Sequence, residues 1–174
     1  MINEGEAIEA AKADPRRFAP LYDRFFTDVF RFIRRRCTDD QTAADLSQQT
    51  FLKAMIGLQR YQDRGVPFRA WLCRIALNEL RMYWRKKKEV SIEFAHEDAI
   101  ALAADVSEEK DTDLQNLSQA LSHLPEKSAQ LIELRYIDGM SFKEMAAVMN
   151  ISEDAAKMRT HRVLACLRTY LAPR

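Results

Sequence analysis

Two stretches of this chain carry cations at spacings that suit a polyanion. The first half holds a polar loop, residues 59–66 (QRYQDRGV), with Arg60, Tyr61 and Arg64, and a basic helix end, residues 83–88 (YWRKKK). An unstacked nucleic-acid strand needs π-faces for its bases and positive charge for its backbone, and aromatics interleaved with cations supply both. The plainer alternative is that Phe68 and Trp71 are core and the lysine run is a solvated helix end. In the second half, Lys157, Arg159, His161 and Arg162 follow Ser152 within one helical pattern. Such side chains donate to phosphates and to guanine edges in a major groove.

Bond-making chemistry finds no comparable set. With four glycines in 174 residues, the chain lacks the tight turns that cradle nucleotide phosphates. There is no nucleophile motif, and the acids concentrate in one central stretch. Cys37, Cys73 and Cys166, with His96, His123 and His161, show neither C-x-x-C nor H-x-x-x-H spacing, so no metal or other cofactor is expected. Widely spaced cysteines, odd in number, fit a reducing cytoplasm. The acidic start (MINEGE) reads as no signal peptide, and no apolar run approaches the length of a spanning helix.

The elements that must position these residues are helical. Residues 4–13 form a first helix, stopped by Asp14-Pro15. Apolar residues at 18, 21, 22, 25, 26, 29, 32 and 33 mark a second, from Phe18 to Arg36. Its terminal Arg34, Arg35 and Arg36 suit the negative end of a helix as well as they suit phosphate. Asp39 or Asp40 starts a third, with Leu46, Phe51, Leu52, Met55 and Leu58 expected on its buried side. Pro67 opens a fourth, running to about Lys88.

From Leu114 onwards Leu121, Leu124, Leu131, Ile132, Leu134 and Ile137 are expected to build the core of two helices broken at Pro125. Gly139 stops the second, and Ser141 with Glu144 spells a capping box for a helix that buries Phe142, Met145, Ala146 and Met149. Asn150 suits a left-handed turn, and Ser152 caps the next helix. At 100° per residue Ala156, Thr160, Val163 and Leu167 face the core. Lys157, His161 and Arg168 then line one edge of the outer side, with Met158 and Arg162 on the other. This is a helix-turn-helix by length and punctuation, with a basic αα-hairpin as the alternative.

Charge is partitioned along the chain. Residues 1–88 hold 18 Lys/Arg against 11 acids, residues 89–113 one against nine, and residues 114–174 eight against six. The central stretch lacks a sustained apolar stripe and is too long for a loop within one compact domain. It reads as an acidic, flexible linker between two small all-α domains, 1–88 and 114–174.

Residues 45–54 (DLSQQTFLKA) are similar to D-L-x-Q-E-x-F-x-K-A, and residues 68–78 (FRAWLCRIALN) to F-x-x-W-L-x-R-I-A-x-N. Residues 124–135 and 138–146 (DGMSFKEMA) match a pattern ending G-x-S-x-x-E-I-A. In this order, and over nearly the whole length, the chain resembles the extracytoplasmic-function (ECF, group 4) sigma factors of the sigma-70 family. The sequence departs from the pattern at Gln49, where glutamate is usual, at Met82, often aspartate, and at residues 154–156 (DAA), commonly G-T-V.

The resemblance implies a promoter-recognition subunit with no catalytic activity. Asp45, Leu46, Gln48 and Gln49 would dock on the clamp helices of core RNA polymerase. Arg60, Tyr61, Trp71, Arg74 and Asn78 would capture a flipped base of the opened −10 element. Arg135, Lys157, Arg159, His161 and Arg162 would meet the −35 element as duplex, Arg135 at a phosphate. The acidic linker would thread the RNA-exit path, and the polymerase flap would hold the second domain. An anti-sigma protein, often membrane-anchored, is the implied regulator, and no small-molecule substrate is implied. A free-standing helix-turn-helix regulator would explain residues 114–174 but leave the basic first half without a purpose.

Overall fold

The computed structural model describes residues 3–90 and 119–171, all helix, turn and loop without a strand among them. The chain divides into two compact units, Met1–Ala95 and His96–Arg174. Beyond the end of the first unit's last helix, the linker expected at 89–113 lies outside the described residues, as do residues 114–118.

In the first unit, α1 (Glu4–Ala13) begins with a capping box between Asn3 and Glu6. Pro15–Phe18 form a short 3-10 turn before α2 (Ala19–Arg34), so the single helix expected from Phe18 to Arg36 is shorter at both ends. Asp39 caps α3 (Asp40–Gly57) by accepting from the Thr42 N–H at 2.7 Å. That bond, then the Thr42 hydroxyl, holds the Asp39 carboxyl below its ordinary value. A 3-10 turn, Leu58–Arg60, leads into the loop before α4 (Phe68–Val90).

The core lies where α2, α3 and α4 pack on one another. Leu21, Phe25, Val29, Phe32 and Ile33 of α2 meet Phe68, Leu72, Ala76 and Leu80 of α4, all buried. Each such large side chain contributes about 1.5–3 kcal/mol by leaving water. From α3 come mostly small or polar groups, Ala43, Ser47, Thr50 and Ala54, which let its neighbours approach closely. Ser47 and Thr50 donate to the carbonyls of Ala43 and Leu46, both at 2.7 Å, so neither hydroxyl is stranded. The buried Glu79 carboxylate receives Lys53 Nζ at 2.6 Å and ties α4 to α3.

In the second unit a helix ends at Ser122, and α5 (Glu126–Ile132) follows Pro125. Residues Glu133–Ile137 widen into a π-turn, with Leu131 and Leu134 buried. Gly139 takes a positive φ of 67° that leads into α6 (Phe142–Met149), opened by the expected box: the Glu144 N–H donates to Ser141 Oγ. Asn150 adopts the left-handed conformation expected of it. From Ser152, whose Oγ accepts from the Ala155 N–H, springs α7 (Glu153–Leu171). Ala156, Thr160, Val163 and Leu167 are buried against α5 and α6, so its core face is the one read from the spacing.

Candidate nucleic-acid and polymerase interfaces

On α7 the side opposite the core carries Lys157, Met158, His161 and Arg162, with Arg159 towards its flank, and all five are exposed. Met158 was absent from the expected base-reading set, yet it stands 63% exposed between the two cationic edges. Glu153 and Asp154 occupy the first turn, where they complement the helix dipole. Arg159 and Arg162 also line a cleft of about 230 Å³ with Lys127, Ser128, Leu131, Met149 and Val163.

Arg135 sits differently from the others. Its Nη1 donates to the Met140 carbonyl at 2.8 Å, and its guanidinium lies 4.7 Å from the centroid of Phe142. It therefore clasps the turn that leads into α6, and only its remaining N–H groups are left for a phosphate. On Phe142 also rests the His161 ring, at 6.1 Å. One ring thus touches both the clasp and the outward-facing helix, and Phe142 is half-buried where a core position was expected. Met149 is likewise half-buried at the cleft. Ile137, also expected in the core, is 59% exposed together with Tyr136. The widened π-turn moves residues 136 and 137 off the buried face, since an extra residue per turn shifts everything beyond it.

In the first unit Trp71, Arg74 and Asn78 share one side of α4 with Met82 and Arg85, following the three-to-four spacing. Arg74 and Asn78 are exposed, and Trp71 is half-buried. Arg60 is exposed at the loop entrance. Tyr61 is 8% exposed, its ring 5.0 Å from Trp71 and 5.1 Å from Phe68. A capture surface around Tyr61 is thus carried by the outer groups, with Tyr61 wedged beneath Trp71. Burial, then Asp63 and Glu4, raises the Tyr61 phenol above its ordinary value.

The first helix holds this region from behind. Glu4 Oε1 accepts from the Phe68 N–H at 3.2 Å, capping α4, while Oε2 lies 3.7 Å from Arg24. Gln59 donates to the Lys12 carbonyl, and Lys12 Nζ stands 5.8 Å from the Tyr61 ring. Nothing in the spacing of the sequence announced these links from α1 to the loop.

On α3 the residues expected to dock on polymerase split into two kinds. Asp45, Gln48 and Gln49 are exposed. Leu46 is 4% exposed and belongs to the core arc of Ala43, Thr50 and Ala54, so it supports the surface from beneath. Conversely Leu52 and Met55, expected to be buried, are 54% and 37% exposed, and Ile56 beside them 71%. Those three continue the Asp45–Gln49 face towards the helix end, at positions three and four residues on. Tyr22, Phe26 and Phe30 of α2 form a half-buried aromatic row, Tyr22 packing 4.8 Å from Phe51.

Known protein families match the chain in two stretches. The Sigma-70 region 2 family model matches residues 21–90, and the Sigma-70, region 4 model matches residues 114–167. The RNA polymerase sigma factor CarQ of Myxococcus xanthus is 32% identical over 155 residues, covering 88% of each chain. The ECF RNA polymerase sigma factor SigM of Bacillus subtilis is 32% identical, over 76% of this chain and 82% of its own. Among solved structures, CnrH in complex with the cytosolic domain of CnrY is similar at a TM-score of 0.62 and 29% identity, covering 95% of this chain and 94% of that one. The sigma factor RpoE in complex with the anti-sigma factor NepR, from Bartonella quintana, also gives 0.62, at 25% identity over 88% and 96%. Taken with the two helical units, these matches place the chain in the extracytoplasmic-function group of the sigma-70 family, RNA polymerase sigma factors that direct promoter-specific transcription initiation.

Proposed function

We propose a division of labour within this sigma factor. Residues 1–88 dock on core RNA polymerase and capture the opened −10 element, residues 89–113 join the units, and residues 114–174 read the −35 duplex. The observation that carries this is the outer face of α7, where Lys157, His161 and Arg162 stand exposed behind a capped turn. A helix so presented enters a major groove with cations aimed at base edges and phosphates. Arg159 contributes from the flank, and Arg135 holds the turn while offering its remaining donors to a phosphate.

In the first unit Asp45, Gln48 and Gln49 form the polymerase-facing surface, backed by Leu46 and extended by Leu52, Met55 and Ile56. Polar groups at one end and aliphatic ones at the other suit an amphipathic coiled partner such as the clamp helices. Arg60, Trp71, Arg74 and Asn78 take the unstacked strand, with Tyr61 bracing Trp71. Bond-making is left to the core enzyme, and the chain works in the cytoplasm. An anti-sigma protein that covers these surfaces holds it inactive; the similar sigma factor RpoE of Bartonella quintana is itself bound to an anti-sigma factor, NepR, in its solved structure.

The test is to mix the purified chain with bacterial core RNA polymerase, run size-exclusion chromatography and assay the co-eluting fraction on a promoter library. Co-elution with promoter-specific transcripts is the expected result. Tight duplex binding by the chain alone, without co-elution, would instead identify a free-standing regulator.

A further inference from the structure

Trp71 stands half-buried near the start of α4, and groups from outside its own helix hold its indole. The Tyr61 and Phe68 rings lie 5.0 and 5.2 Å from it, and they meet each other edge to face at 5.1 Å. Gly57, the last residue of α3, also lies against the indole, since a Cβ there would stand 3.7 Å from it. Both supporting rings are in turn tied to α1. Phe68 is tied through its backbone, because Glu4 Oε1 accepts from the Phe68 N–H at 3.2 Å. Tyr61 is tied through Lys12, whose Nζ stands 5.8 Å from the ring and whose carbonyl accepts from Gln59. Glu4 and Lys12 are about 12 Å apart along the helix, so α1 grips the segment 59–68 at both ends. The helix is itself seated by the buried Ala7, Ile8 and Ala11. The amide that Glu4 takes heads α4, where water can satisfy the first N–H groups of a helix. That bond is therefore dispensable for forming α4; what it fixes is where α4 begins relative to the loop.

We propose that α1 positions the base-capture surface, with Glu4 and Gln59 as positioning residues that set the Trp71 indole for one base against the other three. The inference rests on the −10 reading above. Stacking alone does not choose a base, because every base offers a π-face. Selection needs polar groups such as Arg74 and Asn78 to meet one base edge while its face rests on a ring held still. An indole free to tilt carries the base edge out of register with those donors and accepts all four alike. Fixing a recognition group to within about 0.5 Å takes supporting contacts that lock its rotamer. Here those contacts are Tyr61 and Phe68, and α1 holds both. Neither Glu4 nor Gln59 touches the nucleic acid in this account; each acts through the rings.

The experiment assembles holoenzyme with wild type, Glu4→Ala, Glu4→Gln and Gln59→Ala. Each is titrated with four single-stranded −10 oligonucleotides that differ only at the captured base, and the readout is the ratio of right-base to wrong-base affinity. Wild type is expected to discriminate by about fivefold or more. Glu4→Ala and Gln59→Ala should lose most of that ratio while binding core polymerase as wild type does. Glu4→Gln keeps an oxygen that accepts the Phe68 N–H, so it should retain the ratio to within about twofold. A merely structural role for α1 lowers the folded fraction and weakens all four oligonucleotides equally. An unchanged ratio in the alanine variants would therefore overturn the proposal, and so would a loss in Glu4→Gln equal to that in Glu4→Ala. Gln59 is exposed, so Gln59→Ala carries the test if Glu4→Ala does not fold. Equal binding of all four bases by wild-type holoenzyme is a different result, in which the −10 reading itself fails.

Discussion

At the scale of single residues, the second unit depends on a few side chains that hold a turn in place. Arg135 satisfies the Met140 carbonyl and covers Phe142, so Arg135→Ala should cost about 1–2 kcal/mol of stability in urea unfolding. Weaker −35 binding with unaltered stability would mean that Arg135 serves only as a phosphate contact. Gly139, at φ 67°, has open space where a Cβ would stand. Gly139→Ala should therefore cost only the backbone penalty, about 1–2 kcal/mol, and a larger loss would point to a clash. Arg162, exposed and outward, makes no such structural contribution. Arg162→Ala should weaken −35 binding by about 1–3 kcal/mol and leave core-polymerase affinity unchanged; loss of both would break the assignment of tasks to the two units.

At the scale of elements, what was legible in the sequence followed from how one-sided each helix is. On α7 the buried Ala156, Thr160, Val163 and Leu167 stand opposite charged residues, so counting turns sufficed. The capping box before α6 and the left-handed Asn150 were equally readable, because few residue types fill those positions. Ser141→Ala should cost about 1 kcal/mol by freeing the Glu144 N–H, as thermal or urea unfolding would register. Across α3 and the turn after it the count held for Leu46, Phe51 and Leu58, which are buried, and failed for Leu52 and Met55, which face out beside Ile56 while Ala43, Ser47, Thr50 and Ala54 take most of the core side. Hydrophobicity marks burial in a finished complex as well as in a free chain, and pattern alone does not separate the two. Ile137 was misplaced for another reason: the π-turn departs from the 3.6-residue period on which the counting relies. The bracing by α1 of the loop before α4 could not be read at all, since contacts such as Glu4 to Phe68 join residues far apart in sequence.

At the scale of the whole molecule, a net charge of +1 conceals a strongly polar distribution, with nine acids and one lysine in residues 89–113. Those acids should repel duplex DNA from the free chain. Replacing five of them by glutamine should tighten non-specific duplex binding, an effect that fades as salt shortens the Debye length; fluorescence anisotropy across a salt series would show it, and equal affinity at low salt would refute it. The placement of the cysteines has a practical consequence of its own. Cys37 and Cys73 are buried, whereas Cys166 is exposed on α7. A maleimide dye should accordingly label the folded wild-type protein at one site, on the helix assigned to the −35 element. Paired with a donor attached at the amino terminus, that native thiol becomes an optical ruler for the distance between the units, read first in the free chain and again as polymerase, promoter or an inhibitor is added.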